Sequence, residues 1–231
     1  PWSLRYNDFE VDPDRYPDPE GFFRDLEARG YRTVLWMTPN INSENKDTAI
    51  EDSTPWWRAA VENGYTAGGD WQTRWWKGEG GFIDYTNPEA MAWWRGLQQD
   101  LFDWGLDGWK LDGTATFFRG AVWELPWQQT DSGLMTMRTY MNHYYRDEYQ
   151  HGLTQNPEFI TLSRAIDGEI QWGHFRGFAP LDASPVNWVG DNDHTWKLEE
   201  EGIEEALRDI LDSARRGYNV VGSDIGGYSG S

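Results

Sequence analysis

Four carboxylates and one guanidinium stand at the ends of short apolar runs in this chain: Asp8, Asp112, Asp191 and Asp224, with Arg164 as the cation. The clearest run is Gly105-Leu106-Asp107-Gly108-Trp109-Lys110-Leu111-Asp112-Gly113, which reads as a helix-ending glycine, a short strand and a terminal carboxylate. Asp-Gly is also a strong turn dipeptide, so one such Asp says little by itself. Five charged groups at strand ends say more, because solvated loops need no such convergence and a substrate that develops charge does. The chain has no cysteine, no HExxH and no phosphate-cradling glycine loop. A facing pair of carboxylates in that setting suits cleavage of a glycosidic bond, one acid attacking or supporting the anomeric carbon and the other protonating the leaving oxygen. Arg164 can hold a carboxylate ionised or bind sugar hydroxyls, and a third acid can accept from a hydroxyl pair. Spacing alone leaves the roles open.

The elements that must position these groups alternate along the chain. Strands are expected near residues 2–8, 32–38, 106–112, 159–164, 186–191 and 219–224. Helices open at Pro17-Asp18-Pro19-Glu20, at Asn87-Pro88-Glu89 with Asn as cap, near Gly133 running to about Tyr149, and at Glu199-Glu200-Glu201. The last helix carries Ile203, Leu207, Ile210, Leu211 and Ala214 as its expected buried stripe. Residues 40–87 and 113–131 read as long irregular loops of functional type. This pattern predicts an α/β fold over 1–231, a TIM-type (β/α)8 barrel of which about six strands are present.

Composition narrows the partners. A formal net charge of −19 and a pI near 4.4 exclude nucleic acid and anionic membrane, which both need a positive surface. No apolar run approaches the roughly 20 residues of a membrane-spanning helix. The 16 Trp, many beside Gly, Asn or Asp, suit ligands with an apolar face and a hydroxyl rim, and equally suit a core. Asp191-Asn192-Asp193 lacks the Gly and distal Glu of a calcium loop, and the four His show no zinc spacing, so neither metal nor cofactor is expected.

Six motifs in order resemble the catalytic barrel of glycoside hydrolase family 31, the retaining α-glucosidase and α-xylosidase family. They are Asn7-Asp8-Phe9; Asp84-Tyr85-Thr86-Asn87-Pro88-Glu89-Ala90 with Trp93-Trp94; Gly108-Trp109-Lys110-Leu111-Asp112; Leu162-Ser163-Arg164; Trp188-Val189-Gly190-Asp191-Asn192 with Trp196; and Gly222-Ser223-Asp224-Ile225-Gly226-Gly227-Tyr228. The resemblance implies that Asp112 is the nucleophile forming a β-glycosyl-enzyme and that Asp191 is the general acid, then base. It implies that Asp8, Arg164, Trp188, Asp224 and Trp76 line the subsite of the sugar that is cleaved off, from an oligosaccharide or glycoside. Gly113-Thr114-Ala115 departs from the Met-Asn-Glu or Phe-Gly-Glu that common members carry after the nucleophile. Lys110 matches the α-xylosidase-like branch and could bind a hydroxyl or an anionic substituent. Glucose-, galactose-, xylose- and N-acetylgalactosamine-type sugars all stay open. Mapped on the family, the chain is expected to cover the second to seventh barrel strands, without the first, the eighth or the flanking β-domains. The rival reading is a non-catalytic carbohydrate-binding barrel or an inactive fragment of such an enzyme.

Overall fold

The structure is a computed structural model that describes residues 2–113, 127–167, 177–197 and 201–228. In chain order, α1 (Pro19–Ala28) leads to β1 (Val34–Met37). Next come β2 (Asn40–Asn45), α2 (Thr54–Glu62), β3 (Thr66–Ala67), β4 (Thr73–Trp75), β5 (Gly78–Ile83) and α3 (Pro88–Asp103). The second half holds β6 (Gly108–Leu111), β7 (Trp127–Thr130), β8 (Gly133–Thr136) and α4 (Met137–Gln155). It ends with β9 (Ile160–Arg164), β10 (Val186–Trp188), α5 (Ile203–Arg215) and β11 (Val221–Gly222).

β1, β6, β9, β10 and β11 pair in that order as one parallel sheet, the α/β arrangement of a partial barrel. Each is preceded or followed by a helix, as parallel strands require for burial on both faces. α3 starts where Asn87 accepts hydrogen bonds from the N–H groups of Glu89 and Ala90, with Pro88 as first helical residue. α4 crosses behind β6 and β9 with Tyr140, Met141, Tyr144 and Tyr145 fully buried. The two helices are tied by Glu148, whose buried carboxylate accepts from Tyr85 Oη at 2.6 Å, Trp94 Nε1 at 2.8 Å and Gln98 Nε2 at 3.0 Å. Burial pushes that carboxyl up to about 7, against the pull of the three donors.

Four local expectations are corrected. Residues 2–8 form no strand of the sheet; they fold back through Leu4 N–H to Glu10 O and Asp12 N–H to Trp2 O, with only a Ser3–Val11 bridge. Ser3, Tyr6, Asn7, Asp8 and Phe9 are all buried there, so the segment has no exposed alternate face. The region 40–87 is not irregular but an antiparallel sheet around β5, flanked by β2 on one side and by β3 and β4 on the other, plus α2. Its strands escaped recognition because Asn, Ser and Gly replace the usual β-branched residues. Gly81 is one such requirement: a Cβ there would lie 2.5 Å from the Trp57 ring. Gly133–Thr136 is strand, not helix; the helix begins at Met137, where Thr136 accepts from Thr139 N–H.

The stripe expected on α5 is also displaced. α5 meets the sheet through Ala206, Asp209 and Ser213, while Leu207, Leu211 and Ala214 are exposed. Ser213 Oγ accepts from Ile166 N–H at 3.1 Å, which seats the small polar side of the helix against the chain after β9. Leu207 and Leu211 are exposed, and no strand pairs with the far edge of β11 among the described residues. Glu199 and Glu200 lie outside the described residues, as do Thr114 and Ala115.

Candidate active site

Register brings the charged groups level. Leu111 pairs with Ser163 and Arg164 with Trp188, so Asp112, Arg164 and Trp188 stand at one height at the C-terminal end of the sheet. That end is where parallel α/β barrels place chemistry. Lys110 and Asp112 are two apart, so they project to the same face. The backbone around Asp112 is held from two sides: its N–H donates to Met37 O at 3.0 Å, and Tyr144 Oη, 3.2 Å from both the Met37 and the Asp112 carbonyl oxygens, donates to that pair.

Arg164 is the centre of the cluster. Only 2% of its side chain is exposed, and Nη2 lies 3.4 Å from Asp112 Oδ1 and 3.7 Å from Asp191 Oδ1. Nη1 donates to Asp167 Oδ2, three residues farther along. Burial disfavours its charge, yet Asp112, Asp167 and Asp191 together hold it above the usual guanidinium range. Two oxygens reached from one nitrogen at those distances are at most about 7 Å apart. Asp112 Oδ2 accepts in addition from Trp36 Nε1 at 2.9 Å.

Asp191 has a different setting, with 44% of its side chain exposed. Crowding by protein at its inner edge pushes its carboxyl up; Asp112 and Asp224 push the same way, while Arg164 and Lys110 oppose. Lys110 Nζ sits 4.5 Å from the centroid of the Trp188 ring, and the Arg164 guanidinium carbon 5.0 Å from it, both cation–π distances. Trp188 Nε1 and Asp224 Oδ2 are buried with no hydrogen-bond partner among the described residues.

The structure therefore brings together Asp112, Lys110, Arg164, Trp188 and Asp191, with Asp224 near enough to act on the Asp191 charge. Trp76, 44% exposed, joins less directly: it packs edge-on to Trp75, which lies parallel to Trp36 at 6.4 Å. Asp8 is not brought into hydrogen-bond contact with this group. Its carboxylate is sealed against Arg5 Nε at 3.0 Å and Glu10 N–H at 3.1 Å, and burial raises it to about 7. Three participants escaped the sequence reading: Trp36, Tyr144 and Asp167. Trp36 had a weak signal, since it stands next to the end of an apolar run, Val34-Leu35-Trp36-Met37; its register with Lys110 shows only in the fold. Asp167, in a polar loop, had none.

Comparison with known proteins places the chain in a family. The family profile described as Glycosyl hydrolases family 31 TIM-barrel domain matches residues 1–231. An α-xylosidase of Emericella nidulans is 26% identical over 235 residues, covering 99% of this chain and 27% of that protein. The α-xylosidase XylQ of Lactiplantibacillus pentosus is 32% identical over 230 residues, covering 95% of this chain and 26% of that protein. The chain thus spans about a quarter of the length of these curated relatives. Among solved structures, the dextranase of Flavobacterium johnsoniae in complex with glucose superposes with a TM-score of 0.75 at 20% identity, covering 100% of this chain and 28% of that one.

Proposed function

The chain belongs to glycosyl hydrolase family 31, and from that membership we propose that it carries the catalytic centre of a retaining α-glycosidase acting on a non-reducing terminal α-linked sugar. The observation that carries this reading is the single Arg164 nitrogen shared by Asp112 and Asp191. The resulting upper bound on their separation accommodates the roughly 5–5.5 Å of retaining carboxylate pairs.

The surroundings of each acid suit unlike roles. Arg164 and the Trp36 N–H both donate to Asp112 and hold its carboxyl group in place for attack on the anomeric carbon. Attack forms a glycosyl ester and breaks the glycosidic bond, while Asp191, its proton affinity raised, protonates the departing oxygen. Asp191 then takes a proton from water as that water attacks the ester and frees Asp112. Trp188 and Asp224, which stand beside Lys110, Arg164 and Asp191, border the sugar in this reading. Lys110 beside Trp188 tunes which sugar is accepted.

Release of 4-nitrophenol from a panel of α-glycosides tests the reading, with the xylo sugar first because of the relatives' names, then gluco, galacto and N-acetylgalactosaminyl. Turnover of one of them that disappears in Asp112→Ala supports it. Turnover that survives in the variant sinks it, and binding of sugar by a folded but silent chain supports the rival, non-cleaving barrel.

A further inference from the structure

A third carboxylate grips Arg164 and has no part in the steps above. Asp167 is buried, and its Oδ2 accepts from Arg164 Nη1. The neighbouring backbone is shaped around this pair. Gly190 has φ +108°, and a Cβ on it would stand 2.3 Å from Asp167 Oδ2 and 3.0 Å from Arg164 Nη1. The residue directly before Asp191 is therefore bare where the ion pair passes. From these contacts we propose that Asp167 is a positioning residue for Arg164: it takes Nη1, fixes the plane of the guanidinium, and leaves Nη2 as the arm that Asp112 and Asp191 share. This deepens the glycosidase reading and rests on it for its purpose.

Two effects follow. A guanidinium is a rigid planar fork, so holding one prong aims the other. The second effect is on charge. Asp191 is faced by the cations Arg164 and Lys110 and by the carboxylates Asp112 and Asp224. By offsetting part of the Arg164 charge, Asp167 leaves Asp191 with more surrounding negative charge than positive, which favours the protonated acid that cleavage needs. An ion pair that merely closed the loop after β9 would add stability and leave the proton on Asp191 unaffected.

The test is a 13C NMR pH titration of the chain labelled at the aspartate carboxyl carbons, with no glycoside present, in the wild type and in Asp167→Asn. The expected result is that the Asp191 midpoint falls by about half to one pH unit in the variant, as the guanidinium acts on it less opposed. A midpoint that stays put or rises overturns the proposal, and loss of stability alone is the outcome of the merely structural pair. Should the variant fail to fold, the guanidinium 15N signals of the wild type decide: Arg164 must show separate, exchange-protected Nη1 and Nη2 resonances, and a single averaged signal overturns the proposal. Because no substrate is used, a chain that cleaves no glycoside still yields these midpoints, and the two readings fail separately.

Discussion

Asp112 and Asp191 follow strands separated only by β9, yet their walls are built differently. On the Asp112 side, β6 lies between β1 and β9, Tyr144 spans two carbonyls, Trp36 and Arg164 hold the carboxylate, and α4 seals the back with buried tyrosines. On the Asp191 side, β10 is backed by the two-residue β11, and Leu207, Leu211, Val220, Ile225 and Tyr228 are exposed. The difference matches the demands of the two proposed roles. A nucleophile must meet a carbon along a fixed line, where small displacements cost rate steeply. A proton carrier must exchange with a leaving group and with water, and partial exposure serves it.

The largest expected effect contrasts the two acids themselves. Asp112→Ala lowers kcat on the best 4-nitrophenyl glycoside by about 10⁴-fold or more, with an unchanged circular dichroism spectrum. Asp191→Ala lowers it by about 10²–10³-fold, because a good leaving group needs less proton assistance. Equal losses would erase the proposed division of labour. Next comes Arg164→Met, which leaves Asp112 and Asp167 buried without their cation and lowers urea-unfolding stability by about 3–5 kcal/mol.

Glu148, on the nucleophile wall, makes stability depend on pH. Its carboxyl stands near 7 in the fold against 4.5 ordinarily, so the folded state binds the extra proton between those values. Its contribution is complete below about 4.5 and fades as pH rises through 7, on the order of 3 kcal/mol in all. Asp8 acts in the same direction. Urea midpoints from pH 4 to 8 should flatten in Glu148→Gln, and an unchanged slope would remove Glu148 as the cause. Tyr144→Phe should cost about 1 kcal/mol in the same assay, together with a drop in kcat that exceeds any change in KM. Smallest of all, Leu211→Lys on the open side should move stability by less than about 0.5 kcal/mol; a loss of several would mean that this face is covered in solution.

Much of the sheet was legible because short apolar-rich runs alternate with helical stretches, and those ending at Met37, Asp112, Arg164, Asp191 and Asp224 carry that mark. The Asn87-Pro88 helix start was equally plain, since capping chemistry is local. Segments whose form depends on distant partners were not. β2 and β5 are strands of Asn and Gly because Trp57 and the paired backbone press against them, and no local propensity records that. Residues 2–8 alternate like a strand but bury both sets of side chains. α5 shows that periodicity reports which side of a helix is apolar, not whether a neighbour covers it. In the candidate site, chain order and motif gave Asp112, Arg164 and Asp191, whereas Trp36, Tyr144 and Asp167 act through contacts across 76, 32 and 3 positions that only folding creates. Asp8 shared the look of the other terminal acids, and its carboxylate pairs with Arg5 and the Glu10 N–H in place of Arg164.

Gly190 has one more consequence, for the routes by which this sequence can change. Its missing Cβ and the Asp167 carboxylate occupy the same few ångströms. A side chain gained at 190 collides while Asp167 is present and collides less once 167 is small, so the effects of changes at the two positions are coupled in magnitude. Gly190→Ala should be less harmful in an Asp167→Ala background than alone, although its positive φ keeps a cost in both, a coupling that a double-mutant cycle reads directly.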